Sequence, residues 1–149
     1  VPEWAQPWLG DFSLALPAIG LIGTWITMGL CVVLLLAGIQ KIPPSLYDAA
    51  RVDGAGWFAE LRAVTLPGLR NELLVAITLT LIIALRIFDI VFVTTKGGPG
   101  DATYVPTLFI YLQAFQYGFV GTAAALAVVL TIIIMAVSIG IHRIGERGR

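Results

Sequence analysis

The sequence predicts an all-α membrane protein with three transmembrane helices. Its 149 residues are 58% hydrophobic and only 12% charged, and the mean hydropathy is +0.94. A typical soluble domain carries about 25% charged residues, so this composition indicates a polytopic membrane protein. Three long apolar segments separated by polar loops support the same conclusion. The formal net charge of zero says little about nucleic acid, because what matters is where the charges lie. We expect no nucleic-acid partner for such a membrane protein.

The first predicted span covers about residues 17–39 and contains no charged residue. At a rise of ~1.5 Å per residue, a helix of this length crosses a hydrocarbon core of ~30 Å. Cys31 lies within this segment and is the only cysteine. We therefore expect neither an internal disulfide nor a metal centre built on cysteines.

The second predicted span covers residues 72–95 and is the least regular of the three. Its uncharged part, residues 73–85, is too short to cross a bilayer, so the span has to include Arg86 and Asp89. The third predicted span, residues 121–141, carries no charge.

The charges outside the spans predict the orientation of the chain. The N-terminal segment has Glu3 and Asp11 but no base, and the loop over residues 96–119 has Lys96 as its only base. The loop over residues 40–70 and the C-terminal tail carry the other exposed bases, which are Lys41, Arg51, Arg62, Arg70, Arg143, Arg147 and Arg149. The positive-inside rule therefore places loop 40–70 and the tail in the cytoplasm.

The predicted outer loop, residues 96–119, has two parts. The glycine- and proline-rich segment Lys96–Asp101 predicts a turn cluster that ends the second span. Residues 104–119 are aromatic and mostly apolar, and aromatic side chains favour the membrane interface. We expect a short interfacial or scoop-like helix there.

The sequence of loop 40–70 contains signals for helices and for a turn. The segment Pro43–Ser45 is a helix-start signal in which the Ser45 side chain is expected to cap the helix. Apolar residues then recur at helical spacing until Gly54 and Gly56 interrupt them. We therefore expect two short helices with a turn over residues 53–56. Amphipathicity alone is also typical of a surface helix that packs on its own bundle.

Residues 47–69 of this loop read YDAARVDGAGWFAELRAVTLPGL. They resemble the cytoplasmic coupling loop, or EAA loop, of the permease subunits of binding-protein-dependent ABC importers. That pattern is an acidic residue, two alanines, three free positions, a glycine, nine free positions, an aliphatic residue, one free position and Leu-Pro. The matching residues are Asp48, Ala49, Ala50, Gly54, Val64, Leu66 and Pro67. The one departure is Asp48, where the family usually has Glu.

The resemblance implies a multi-helix bundle of the methionine-importer-permease-like type, in a single membrane domain of which residues 1–149 form a part. The seven matching residues would form a knob that seats in a cleft of an ATPase subunit. The implied partners are two ATP-binding subunits, a second permease subunit, an extracytoplasmic solute-binding protein and the lipid bilayer. The resemblance covers the C-terminal half of such permeases, so we expect further helices upstream.

Other segments resemble the carbohydrate importers of the maltose and glycerol-phosphate type. They are Asp53–Ala55, Phe88–Asp89 and Gly97–Gly100. The resemblance therefore implies a permease subunit that moves a sugar or related polyol across the cytoplasmic membrane. We expect no cofactor and no catalysis, because the chain lacks a G-x-x-x-x-G-K-[ST] phosphate loop and any nucleophile–base pair. An importer for another solute and an ion-coupled secondary transporter remain as alternatives.

Four residues are candidates for the translocation pathway. Arg86 and Asp89 are three positions apart, so we expect them to share a helix face. Ionisable groups at membrane depth usually face a water-filled path, and the alternative is a mutual ion pair near the outer interface. Trp25 and Thr78 are the other two, because a sugar needs aromatic faces and hydroxyl-bonding groups. Helix packing is the commoner use of such residues, and we expect no metal site.

Overall fold

The computed structural model describes residues 6–146, with the side chains of all but residues 144 and 146. Within this range the chain is helical and has no β-strand. The α-helices are α1 Ala15–Ile39, α2 Pro44–Val52, α3 Trp57–Glu60, α4 Leu66–Gly68, α5 Arg70–Leu85, α6 Asp89–Thr94, α7 Pro106–Tyr111 and α8 Val120–Glu146. Two π-helical turns, Leu61–Thr65 and Leu112–Gln116, continue α3 and α7. Of the charges used to orient the chain, Glu3, Arg147 and Arg149 lie outside the described residues.

Within the described part of the chain, three helical segments are long and apolar enough to cross a membrane. They are Ala15–Ile39, Arg70–Thr94 and Val120–Arg143. The predicted fold class, all-α with three membrane-spanning helices, is confirmed. The predicted spans overlap these segments, and their limits as membrane crossings stay predictions.

The second of these segments is not one continuous helix. Helix α5 ends at Leu85 and α6 begins at Asp89, and between them Phe88 has φ −131° and ψ −55°. The prediction that Arg86 and Asp89 share a helix face is therefore wrong. No glycine or proline marks the break. Asp89 stands in the first turn of α6, where the positive end of the helix dipole favours a carboxylate.

The described residues fall into two compact units, and the first comprises residues 6–26 and 81–138. Its core consists of Ile19, Val91 and Leu108, all essentially inaccessible to solvent. Aromatic rings extend this core: Phe92 lies 5.2 Å from Phe88 and 5.1 Å from Tyr111 between ring centroids. Helices α1, α6 and α7 are thus joined by burial of apolar side chains.

A hydrogen-bonded turn links α6 to α7 in this unit. Thr103 is fully buried, and its hydroxyl donates to the Gly98 carbonyl at 2.7 Å. The Thr103 and Thr95 hydroxyl oxygens are also 2.7 Å apart, and the Gly98–Pro99 peptide is cis. The predicted turn cluster is confirmed, and a helix follows it as predicted. Whether that helix lies at the membrane interface stays a prediction.

Gly97→Ala is expected to destabilise this turn. Gly97 has φ +96°, and a β-carbon there would lie 2.8 Å from Cδ2 of the Tyr104 ring. Backbone strain and displacement of the ring together predict a loss of about 2–3 kcal/mol. Thermal unfolding of the detergent-solubilised protein measures this loss.

The matched control for this variant is Gly140→Ala in α8. Beyond the backbone of its own helix, no described residue has an atom within 4 Å of a β-carbon at Gly140, so this change is expected to be neutral or slightly stabilising. Equal melting temperatures for the two variants would contradict the structural role of Gly97.

The second unit comprises residues 27–80 and 139–146 of the described chain. In it, the end of α1 lies against the start of α5, because a β-carbon at Gly38 would be 2.7 Å from Glu72 Cγ and 2.6 Å from Cδ2 of Leu69, the residue before α5. Lys41 Nζ is 2.9 Å from Glu72 Oε1, which joins the two ends of loop 40–70. Ile42 and Leu69 are buried. The base of the loop is therefore fixed to the two helices that flank it.

Candidate functional site

Residues 44–68 fold as a hairpin of two short helical arms, which we call the coupling hairpin. Helix α2 ends at Val52 and α3 begins at Trp57, so the predicted turn over residues 53–56 is confirmed. Gly54 has φ +80°, a conformation that glycine adopts without strain. The Ala55 amide donates to the Ala50 carbonyl at 2.9 Å and closes the first arm.

The prediction that Ser45 caps the first arm is wrong. Pro43 is the residue that precedes α2, Pro44 is its first residue, and no side-chain hydrogen bond caps the helix. Proline suits the first helical position because its fixed φ is helical and it has no N–H that needs an acceptor. Ser45 therefore lies inside the first turn.

Two side-chain contacts hold the arms of the hairpin together. Arg51 Nε donates to Glu60 Oε1 at 2.8 Å, and the Tyr47 and Thr65 hydroxyl oxygens are 3.1 Å apart. The hydrogen bond to Glu60 raises the pKa of Arg51, so the guanidinium stays charged. The hairpin is thus bridged at two points along its length.

The second arm contains a π-helical turn immediately before Pro67. The Leu66 amide donates to the Leu61 carbonyl, five residues back instead of four. In a regular α-helix the proline ring would clash with the carbonyl four residues earlier, and the wider turn gives that ring space. The second arm can therefore continue through Pro67 to Leu69 and the start of α5.

The seven residues of the coupling pattern all lie on this hairpin, mostly exposed. The exposed ones are Asp48, Ala49, Gly54, Leu66 and Pro67, and the half-buried ones are Ala50 and Val64. The Asp48 carboxylate makes no hydrogen bond or ion pair with another described residue. Apart from its two chain neighbours, no described residue has an atom within 4 Å of a β-carbon at Gly54. Both features leave this surface open to a second molecule.

An apolar patch accompanies these residues. It consists of Leu46, Val52, Trp57 and Phe58, with exposed fractions of 50%, 87%, 76% and 69%. Exposed aromatic and aliphatic groups bordered by charges are typical of an interface with another protein. The alternative is that the apolar face of this loop packs on the protein's own helix bundle. Within residues 6–146 it fails for Leu46 and Trp57, because both side chains are exposed. Sequence reasoning missed Val52 and Phe58, whose only signal is their position beside the glycine turn.

Arg51→Gln is expected to loosen the hairpin without unfolding the protein. The variant removes the hydrogen bond to Glu60 that joins the two arms. Faster amide hydrogen exchange over residues 50–56 would report the loosening. Arg62→Gln is the control, since Arg62 is an exposed base of the same hairpin without an ion pair among the described residues. Equal exchange in both variants would contradict the bridging role of Arg51.

The four pathway candidates lie on different elements. Trp25 is 76% exposed on α1, Asp89 is exposed, and the Thr78 hydroxyl donates to the Leu74 carbonyl at 2.7 Å. Arg86 lines a cavity in the first unit. No ion pair joins Arg86 to Asp89, both of which the structure describes, so the alternative that these two residues form a mutual ion pair is wrong. No group of three or more potential metal ligands occurs within residues 6–146.

Comparison with known proteins identifies the family. The family described as binding-protein-dependent transport system inner membrane component matches residues 4–148. The trehalose/maltose transport system permease protein MalF of Thermococcus litoralis is 40% identical over 142 residues, which cover 93% of this chain and 47% of that protein. The probable ABC transporter permease protein YurN of Bacillus subtilis is 39% identical over 137 residues, covering 92% and 47%.

A third relative is the sulfoquinovosyl glycerol transport system permease protein SmoG of Agrobacterium fabrum. It is 38% identical over 131 residues, which cover 88% of this chain and 42% of that protein. The chain thus spans less than half the length of these relatives. The resemblance noted in the coupling loop is confirmed, and three apolar helices agree with a multi-pass protein of the cytoplasmic membrane. The chain belongs to the family of inner membrane components of binding-protein-dependent transport systems.

Proposed function

We propose that the chain is part of the permease subunit of an ATP-driven importer, in which the coupling hairpin docks on a separate ATPase subunit. The observation that carries this proposal is the hairpin itself. It is bridged by its own side chains, turns at a glycine with φ +80°, and exposes both an apolar patch and the unpaired Asp48. Apolar groups supply affinity at such a contact, and the carboxylate selects a basic partner group.

The coupling hairpin is connected to the membrane helices in such a way that a displacement of the hairpin would also displace those helices. Its first arm follows the end of α1 through Ile42, and its second arm runs through Leu69 into α5. The contact between Lys41 and Glu72 joins these two ends. Movement of a docked ATPase subunit would therefore displace α1 and α5 together. Alternating access requires such a rigid transmission between nucleotide-driven closure and the spans.

The proposed assembly contains two ATP-binding subunits, a second permease subunit and an extracytoplasmic solute-binding protein. Its solute is a sugar or related polyol. Support comes from the relatives that are described as permeases for trehalose and maltose or for sulfoquinovosyl glycerol, together with the segment Gly97–Gly100. The chain itself performs no catalysis in this proposal, because ATP hydrolysis belongs to the separate subunits. Loop 40–70 faces the cytoplasm and loop 96–119 faces outward.

The pathway assignment of Trp25, Thr78 and Asp89 stays a prediction, as does that of Arg86, for which the cavity it lines offers a different role. The exposed ring of Trp25 offers an aromatic face of the kind that sugars stack on. The Thr78 hydrogen atom is already donated to Leu74, so its oxygen can only accept. Asp89 is exposed in the first turn of α6 and offers carboxylate oxygens to sugar hydroxyls.

Uptake measurements test the proposal directly. The solute is first identified by thermal-shift screening of the partner solute-binding protein against sugars, polyols and amino acids. Uptake of that solute into proteoliposomes that contain the co-purified ATPase should require ATP and persist when ionophores collapse the ion gradients. Uptake that stops with the gradients and ignores ATP would instead identify an ion-coupled secondary transporter. A screen that yields only amino acids would overturn the sugar assignment alone.

A further inference from the structure

A cavity of about 430 Å³ lies in the first unit, between the end of α5, α7 and α8. Its polar side chains are Arg86, Thr107 and Thr131. Its main apolar wall lies on α8 and consists of Leu130, Ile134 and Met135. None of the described residues that line it is acidic. The cavity therefore combines a single cation with a hydrocarbon surface.

The threonine hydroxyls that line this cavity already donate hydrogen bonds within the protein, whereas the arginine donates none to a described residue. Thr107 donates its hydroxyl to the Ile87 carbonyl, and Thr131 donates to the Ala127 carbonyl at 2.8 Å. The Arg86 guanidinium makes no hydrogen bond or ion pair with another described residue. Its five N–H groups are thus the donors left for a ligand. A sugar, which needs several donors and acceptors around its ring, is a poor match for such a lining.

The depth of Arg86 suits a lipid headgroup. Helix α5 has 16 residues and so rises ~24 Å from Arg70 towards Arg86. The hydrocarbon core is ~30 Å thick, and a long basic side chain can reach several ångströms further to the interface. With loop 40–70 in the cytoplasm, the guanidinium reaches the level of the outer headgroups.

We propose that this cavity binds one anionic phospholipid of the outer leaflet, with its phosphate on Arg86 and an acyl chain along α8. Leu130 and Ile134 are four residues apart and so form a continuous strip on one face of the helix. A guanidinium forms paired, charge-assisted hydrogen bonds with a phosphate. This assigns Arg86 a role outside the solute pathway. The lipid-site proposal depends on the membrane orientation but not on ATPase docking. It can therefore fail while the proposed function of the coupling hairpin holds, and the reverse.

Native mass spectrometry of the assembled transporter, titrated with phosphatidylglycerol or phosphatidylcholine of identical acyl chains, tests this site. The wild-type protein is expected to bind one phosphatidylglycerol in preference to phosphatidylcholine. Arg86→Gln should reduce that preference about tenfold, since it removes a charge-assisted hydrogen bond. Arg86→Lys should retain part of it. Lys96→Gln removes the same charge from an exposed residue outside the cavity and should change nothing.

A second variant keeps the test decisive if Arg86→Gln does not assemble. Ala127 also lines the cavity. Ala127→Phe fills the cavity and leaves the guanidinium in place, and it should abolish binding of the single tight lipid. An unchanged phosphatidylglycerol preference in Arg86→Gln, or in Ala127→Phe, overturns the proposal. So does a result in which Arg86→Gln leaves lipid binding intact but alters the choice between anionic and neutral solutes, because Arg86 then serves the solute pathway.

Discussion

Gly54→Ala is expected to reduce ATP-driven uptake about tenfold while the protein still inserts into the membrane. Gly54 has φ +80°, and a residue with a β-carbon is strained there by about 1–2 kcal/mol. A 1.4 kcal/mol change corresponds to a factor of about ten in the population of the docking-competent turn. Gly54→Glu should be more severe, because its side chain would also project from the docking surface.

Two control variants separate the causes of that loss. Gly56 has φ −78°, and a β-carbon at this position would meet no described residue within 4 Å other than its chain neighbours, so Gly56→Ala should transport normally. Gly54→Asn should retain most activity, because asparagine tolerates positive φ better than alanine does. ATPase activity, uptake and membrane insertion are measured together for each variant. Normal uptake by Gly54→Ala would contradict the role of the turn.

Asp48→Lys is expected to release the ATPase subunit from the purified complex. The carboxylate is exposed and forms no hydrogen bond or ion pair among the described residues, although its charge contributes to the raised pKa of Arg51. The proposed partner group is a base on the ATPase. Reversal of the charge places two cations together, and such like-charge contacts cost several kcal/mol at an interface. Retention of the ATPase on an affinity-tagged permease, at several salt concentrations, measures the effect.

The control for Asp48→Lys is Asp101→Lys. Asp101 is an exposed acid in the predicted outer loop and makes no ion pair among the described residues. The net charge changes equally in both variants, yet only Asp48→Lys should lose the ATPase. Full retention of the ATPase by Asp48→Lys would show that the carboxylate does not contact it.

The features that can be predicted from the sequence depend on strong local signals. Long uncharged segments predict the membrane helices, because hydrocarbon selects apolar residues over a fixed length. Gly54 and Gly56 predict the turn of the coupling hairpin, since glycine is the residue that adopts positive φ most readily. Pro43 and Pro44 likewise indicate the start of α2.

The errors arise where tertiary contacts outweigh local preference. The break between Arg86 and Asp89 contains no glycine or proline, and Ile87 and Phe88 pack against the core of the first unit. Ser45 fails as a cap because Pro44 already occupies the first helical position. Pro67 could indicate the first π-helical turn, but the second has no compositional signal. Exposure of Val52 and Phe58 depends on the folded hairpin and is not readable from spacing.

Site-specific photocrosslinking from position 49 tests the central claim most directly. Ala49 is exposed on α2, one residue after Asp48, and a photoreactive amino acid there should crosslink to the ATPase subunit in the assembled transporter. The account predicts a crosslink whose yield changes between ATP-bound and nucleotide-free states. Crosslinking to the extracytoplasmic solute-binding protein, or to no other subunit in either state, would contradict the account.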